Sequence, residues 1–411
     1  MSWCFAQAEH IIGYMTNAMQ TRIRSAVQRE RVLKTAIKLV EVPSRTGEAG
    51  AACDRLGKLL GDDGFKVERP AAGHPAAPAV VVRYDSGKPG KTIQFNGHLD
   101  TVHLPFVPPK VEGSRLLGSG ASDMKGGIAA MVEALRAVRD LNALSAGSIL
   151  LTAHDLHEAP WGFGQQLDQL IRDGVHGDAV LLPEPLSAQL PVIGRGSATW
   201  RIRIHRPGPP AHEVMRPVHE PNVVAAGADL VSRLIKLAET LARRSDPLAG
   251  SESLFIGQIH SGEIYNQYPQ ECCLEGTRRW LPETDPAKVE AEFRDLLARF
   301  QADWRIEVDA QYSLIRNAFR LDRNHPLISA FQTSYAEISG KPLPEGPKAF
   351  VDDGNSFWRL ADIPAITHGP NAGGQHTVHE WVEIDDLVRV ATLYALTAIR
   401  YCGQTDDRAG P

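Results

Sequence analysis

The stretch Thr92-Ile-Gln-Phe-Asn-Gly-His-Leu-Asp-Thr101 reads as a short strand that runs into a histidine and an aspartate two residues apart. Similar endings recur along the chain. Asp123 lies in Gly118-Ser-Gly-Ala-Ser-Asp-Met-Lys-Gly-Gly127, just ahead of a helical pattern. Glu184 closes Ala179-Val-Leu-Leu-Pro-Glu-Pro185, and His376 lies in Gly373-Gly-Gln-His-Thr-Val-His-Glu380. Open α/β sheets gather ligands outside the carboxyl ends of their strands. Imidazole and carboxylate are the donors that Zn²⁺ and similar ions take in hydrolytic sites. The run therefore predicts a metal site, and with it hydrolysis.

The chain has 411 residues, more than one core usually supports, so two domains are expected. Its 43% hydrophobic and 23% charged residues suit a soluble globular protein. A net charge of -5 speaks against a nucleic-acid or anionic-membrane partner, and no apolar run is long enough to span a bilayer. The N-terminus does not read as a secretion signal. Five scattered cysteines without a CxxC pair read as reduced thiols, so a cytoplasmic location is expected.

Residues 1–22 read as a helical arm or extra cover. Val27, Val32, Ala36, Ile37 and Val40 recur at helical spacing, and Pro43 stops that helix. A second helix is expected near Ala51–Leu60 and another at Met124–Leu141. Strand-like runs near 79–84 and 92–96 and short continuous apolar strands at 148–152 and 178–182 alternate with these helices, the mark of a sheet buried on both faces. The pattern changes near Arg195. Ala198-Thr-Trp-Arg-Ile-Arg-Ile-His205 alternates as a half-exposed strand does. Helix, two strands, helix and a last strand at 304–312 follow, a ferredoxin-like β-α-β-β-α-β order. The strand–helix pattern then resumes, with helices at 326–339 and 384–400 and a strand at 365–367. The expectation is an α/β catalytic domain (1–195 and 314–411) interrupted by an inserted α+β domain (196–313).

His98 and Asp100 form an HxD pair, in which a carboxylate can orient a metal-bound imidazole. Asp123 also fits a helix N-cap. Beyond these readings, Gly97-His-Leu-Asp-Thr-Val102, Gly120-Ala-Ser-Asp-Met-Lys-Gly-Gly127, Pro183-Glu-Pro185 and Gly369-Pro with His376-Thr-Val-His-Glu380 resemble the M20 family of metallopeptidases and amidohydrolases. The resemblance runs in order over roughly residues 27–400. It implies a zinc-exopeptidase-like catalytic domain, a mixed sheet flanked by helices, with a ferredoxin-like lid and dimerisation domain. It implies two divalent ions, zinc or else Mn²⁺ or Co²⁺. His98, Asp123 and Glu184 would hold one; Asp123 would bridge to a second, which His376 also binds; Asp100 would orient His98. Such a pair of ions polarises a carbonyl and lowers the pKa of a shared water.

One motif departs from the family. A Glu-Glu pair usually follows the strand that here ends at Thr152; the first is the general base and the second a ligand. This chain reads Leu151-Thr-Ala-His-Asp-Leu-His-Glu-Ala-Pro-Trp-Gly162. Registered on Gly162-Phe-Gly164, His157-Glu158 replace the pair; registered on Thr152, His154 to Leu156 do. The first keeps a carboxylate and is preferred. Either Glu158 is the ligand and His157 takes the proton, or Glu158 is itself the base; His154 and Asp155 are spare candidates.

In the inserted domain, Pro210-Ala-His-Glu213 resembles the family segment that offers a histidine to the oxyanion, which makes His212 a candidate. Glu213 stands where a small hydroxyl residue is usual. Asn266 and Arg279 match substrate-binding positions, the arginine suited to a carboxylate, and Gly354 joins that set. His103, His368 and His379 lie near the motifs without a ligand role. The expected activity is cleavage of a C–N bond in an N-acyl amino acid or small peptide by metal-activated water, in a homodimer formed through the inserted domain. Two alternatives stand beside it: a hydrolase of an unusual substrate such as an aromatic amine, and a binding protein that kept the fold and lost catalysis.

Overall fold

In the computed structural model, which describes residues 18–217 and 219–403, the strand Thr92–His98 lies inside a six-stranded sheet. The order is Val67–Glu68, Val80–Asp85, Ser148–His154, Thr92–His98, Ala179–Leu182, Ala365–Thr367. The first two pairings are antiparallel and the last three parallel, so the sheet is mixed. Its central strands are covered on both faces: Ile93, Phe95, Ile149, Leu150, Leu151, Val180 and Leu181 are fully buried, and so are Gln94, Asn96 and Thr152, which hydrogen-bond through Thr152 Oγ1.

Helix Gly126–Asp140 is buried along nearly its whole length, with Ile128, Met131, Leu135 and Val138 all at 0% exposure. Helix Ile384–Cys402 packs against it. Helices Arg29–Val40 and Gly50–Asp62 turn their apolar stripes inward. Residues 18–26 are helical; the rest of the arm expected over 1–22 lies outside the described residues. A second, four-stranded antiparallel sheet, Ala372–Gly373, Trp381–Glu383, Arg115–Leu117 and Lys110–Glu112, has no counterpart in the sequence reading. Its strands are two or three residues long, too short for periodicity to show.

The chain divides into two units: 1–191 with 321–345 and 356–411, and 192–320 with 346–355. The sequence reading set its boundaries at 195/196 and 313/314 and left 346–355 with the first domain. The second unit has the sheet order Ser253–Ser261, Glu271–Trp280, Gly196–His205, Glu307–Arg316, all antiparallel, with helices Val223–Leu241 and Pro286–Trp304. This is the expected ferredoxin-like arrangement. Trp200, Ile202, Ile204, Leu230, Leu234, Phe293 and Phe300 form its core. The last strand was expected from Trp304, but that residue ends the helix. Arg305, at φ 51, makes the left-handed turn out, and the strand starts at Glu307.

Candidate active site

Three parallel strands end side by side: Thr92–His98, Ser148–His154 and Ala179–Leu182. His98, the 155–158 segment and Glu184 follow directly from those ends, so an imidazole and several carboxylates converge at one sheet edge. Asp123 sits in the turn Ala121–Lys125 that opens helix Gly126–Asp140. It is not that helix's N-cap, which is Lys125 without a side-chain cap. Gly127 lets the helix start lie against the Glu184 turn: a Cβ there would stand 2.3 Å from Pro183 O.

Asp123 is shared between two imidazoles. Its Oδ1 is 3.1 Å from His98 Nε2 and its Oδ2 3.5 Å from His376 Nε2. Glu184 Oε1 lies 3.6 Å from His98 Nε2, and Glu158 Oε2 lies 3.1 Å from His376 Nε2. His376 is held at φ 57, a backbone region uncommon outside glycine and one that clusters at functional sites. His157 stacks on His98 with ring centroids 3.9 Å apart, its Nε2 3.9 Å from Glu184 Oε1. His98, Asp123 and Glu158 present ligand atoms within 4.8 Å of one another, and so do His98, His157 and Glu184.

Asp100 supports this group from behind. Its Oδ2 accepts the backbone N–H groups of His157 and Glu158, each at 3.0 Å. His98 Nδ1 is 3.0 Å from Asp100 O and 3.5 Å from Asp100 Oδ1, so an Nδ1–H leaves Nε2 as the lone-pair donor. Two supports were not read from the sequence. Glu380 Oε2 accepts the backbone N–H groups of Ser122 and Asp123, at 3.2 and 3.1 Å. The buried Asp155 carboxylate accepts Gly47 N, Ala49 N and Leu156 N and lies 3.2 Å from His74 Nε2.

The spare candidates are engaged elsewhere. Asp155 holds loops together, and His154 is buried with Nδ1 3.1 Å from Asp155 O. His368 is a core residue beside Phe331 and Tyr335, and His103 stacks on Trp161.

Burial opposes protonation of His98, yet Asp100, Asp123 and Glu184 hold its pKa well above the usual 6.5. Burial opposes ionisation of Asp123, but His376 and His98 hold it well below the carboxylate range. Burial and then Asp123 push Glu184 up to about 8. Asp123 and Glu158 raise His376 to about 10. The protein alone satisfies this crowd of carboxylates by placing protons on it. The donor set, carboxylate oxygens and imidazole nitrogens gathered within 4.8 Å of one another, fits divalent cations in the protons' place.

In the second unit, His212 and Asn266 meet. Ala211–His212 pairs with Gln267–Tyr268, and Asn266 Nδ2 lies 3.1 Å from His212 Nε2. Glu213, the unusual neighbour, lies 2.8 Å from His212 Nδ1. Arg279 is half-buried, and burial and then Arg195 lower its pKa; among the described residues no acidic side chain pairs with it. Gly354 is buried near the start of helix Asp353–Ala361, its N–H bonded to Asp352 Oδ1 at 2.8 Å.

A mixed α/β catalytic unit with clustered acid and imidazole donors at its parallel-strand ends defines a metallohydrolase. The model of peptidase family M20/M25/M40 matches residues 94–400, and the chain belongs to that family. It is similar to succinyl-diaminopimelate desuccinylase of Methylorubrum extorquens (strain PA1), with 34% identity over 88% of this chain and 96% of the relative. The enzyme of the same name from Methylobacterium radiotolerans is 28% identical over 89% and 95%. In fold it matches aminopeptidase PepT of Bacillus cereus, with TM-score 0.77, 19% identity, and 92% and 99% coverage. It also matches a dinuclear metal-binding M20 peptidase of Bacillus subtilis, with TM-score 0.67, 15% identity, and 90% and 97% coverage. The chain is thus a metal-dependent hydrolase of amide or peptide C–N bonds, as expected, rather than a binding protein that lost its chemistry.

Proposed function

We propose that the enzyme hydrolyses the amide of an N-acyl amino acid or a small peptide at a two-ion site. His98, Asp123 and Glu184 hold one ion; Asp123, Glu158 and His376 hold the other. The observation that carries this reading is Asp123, with one carboxylate oxygen toward His98 and the other toward His376. Zn²⁺ suits these donors, with Mn²⁺ or Co²⁺ as alternates. When bound, the ions polarise the scissile carbonyl and acidify the attacking water.

His157 then takes the place of the family's general base. It holds the proton at Nε2 and returns it to the leaving amine, a task suited to imidazole. Asp100 fixes the His98 tautomer and the backbone of His157 and Glu158. His212, held at Nδ1 by Glu213, exchanges its Nε2 contact with Asn266 for the developing oxyanion, to which it donates Nε2–H. Arg279 grips a substrate carboxylate, with the backbone at Gly354 in the same substrate-binding set. The curated relatives act, by name, on succinyl-diaminopimelate, an N-acyl amino acid, which supports this class.

A homodimer through the second unit and a cytoplasmic location complete the proposal. The edge strand Ser253–Ser261 exposes Phe255 and Ile259, and the neighbouring helix exposes Val224 and Ile235. Among the described residues, no helix is long and apolar enough to cross a membrane.

The test is metal content per chain after reloading, together with turnover of a panel of N-acyl amino acids and dipeptides. Two ions and release of the free amino acid are expected. No turnover across the panel, beside ammonia release from an aryl amine, would transfer the proposal to the aromatic-amine reading.

A further inference from the structure

We propose that Trp161 and His103 form an aromatic subsite of the active centre, which selects a substrate carrying a planar ring on the acyl or amine side of the scissile bond. The proposal rests on the hydrolase reading above and adds the ring.

The two side chains stack with centroids 4.1 Å apart and planes 8° from parallel. His103 is fixed: its Nε2 lies 3.0 Å from Thr46 O, and a carbonyl can only accept, so the ring donates there. Thr46 is itself tied to Thr101, its backbone N–H and its hydroxyl both donating to Thr101 O. The Trp161 backbone is held in a turn, its main-chain N–H donating to Glu158 O at 3.1 Å. The stack therefore joins two segments already joined at the active centre, where Asp100 accepts the N–H groups of His157 and Glu158. His103 lies three positions along from Asp100, and Trp161 three along from Glu158. Neither Cα can lie more than about 11 Å from its partner.

Despite this anchoring Trp161 stays 43% exposed, whereas Trp200 and Trp280 are 2% and 1% exposed in the second unit's core. Phe106, on the His103 segment, is 40% exposed. An ordered, flat, apolar surface beside a catalytic centre is what binds a substrate group. Aromatic surfaces prefer aromatic partners in offset or edge arrangements over aliphatic ones of equal bulk. The occupant is therefore a ring held by the substrate.

The experiment compares benzoate with cyclohexanecarboxylate, binding to the Zn²⁺-loaded protein by titration calorimetry. The two acids share the metal-seeking carboxylate and differ only in the ring. Wild type should bind benzoate about two- to tenfold tighter. Trp161→Leu should abolish that ratio, Trp161→Phe should keep most of it, and His103→Ala should reduce it, all with unchanged metal content. Equal affinities in wild type, no binding of either acid, or a ratio that survives Trp161→Leu would overturn the proposal. Loss of self-association in Trp161→Leu with an unaltered ratio would assign the surface to a second copy of the chain, and overturn it too. If Trp161→Leu does not fold, the His103→Ala and Trp161→Phe ratios decide. Failure of the hydrolase reading shows separately, as absent turnover in metal-loaded wild type.

Discussion

The imidazole of His157 lies flat on that of His98, with centroids 3.9 Å apart and planes 5° from parallel. The next side chain, Glu158, goes the other way, to His376 at 3.1 Å. Consecutive residues thus face two different imidazoles, which is the basis for proposing Glu158 as ligand and His157 as base. Glu158→Ala should lower metal content from two ions to one. His157→Ala should keep both ions and lower kcat by about 10²- to 10⁴-fold, the usual contribution of a proton-transfer group. Loss of an ion in His157→Ala would make His157 a ligand and sink its assignment as base.

The metal-free cluster should respond to pH with a definite sign. His376 is raised from 6.5 to about 10 by Asp123 and Glu158, and Glu184 is raised from 4.5 to about 8 by burial and Asp123. A group whose folded pKa is raised stabilises fully below its unfolded value, and that stabilisation is lost as pH climbs through the folded value. The chelated protein should therefore lose thermal stability from about pH 4.5 to about 10, most steeply between 6.5 and 8, where both groups contribute. Metal binding displaces the same protons, so Zn²⁺ affinity should rise over that range. Proton release can be read by calorimetry in buffers of different ionisation enthalpy. A pH-independent affinity with no released protons would refute this account.

The candidate ligands His98, Asp123 and Glu184 were legible because each ends or follows a strand or precedes a helix, and both patterns are local, whereas His376 lies in a loop and was legible only through its motif. Their supports were not. Glu380 reaches amides 257 residues earlier in the chain, and nothing in its own neighbourhood of sequence marks that role. Asp155 was weighed as a spare catalytic group, yet its carboxylate is taken up by the loop at Gly47 and Ala49. The registration of His157-Glu158 was preferred for the carboxylate it keeps, and the loop's shape was not legible. Leu156 adopts φ 66, and a Cβ on Gly162 would clash with Leu156, so the extra residues fold back compactly. The segment 346–355 groups with the second unit through contacts such as Asn355 Nδ2 to Asn317 O at 2.6 Å, which no periodicity announces.

Arg279 carries a positive charge without an acidic partner among the described residues, beside Arg195. A carboxylate on the substrate would relieve that arrangement. Arg279→Ala should raise KM by roughly ten- to hundredfold for substrates bearing a free carboxylate, with kcat nearly unchanged. Amidated analogues should lose nothing further. Equal effects on both substrate classes would show that the arginine acts on the fold instead.

The second unit exposes Phe255 and Ile259 on its edge strand and Val224 and Ile235 on the adjacent helix, besides Val214, Met215, Ile264 and Tyr265 next to His212 and Asn266. An edge strand offers unpaired backbone groups to another chain. Replacing Phe255 with Glu and Ile259 with Lys should shift the protein from dimer to monomer in light scattering after size exclusion. A wild type that runs as a monomer at high concentration would remove the basis for this interface.

Asp155 joins the segment that carries His157 and Glu158 to the loop at 47–49. Both backbone donors there, Gly47 N at 2.9 Å and Ala49 N at 3.0 Å, depend on its carboxylate. Removing the acceptor leaves buried N–H groups unsatisfied, at about 1–3 kcal/mol each. Asp155→Ala should therefore lower unfolding free energy by roughly 2–4 kcal/mol in denaturant titration. Asp155→Asn keeps one acceptor oxygen and should cost less. His74→Ala removes only a half-buried partner at 3.2 Å and should cost least. The order Ala, then Asn, then the histidine variant follows from donor counting alone. A different order, or no loss in Asp155→Ala, would mean that the two loops are held by other contacts.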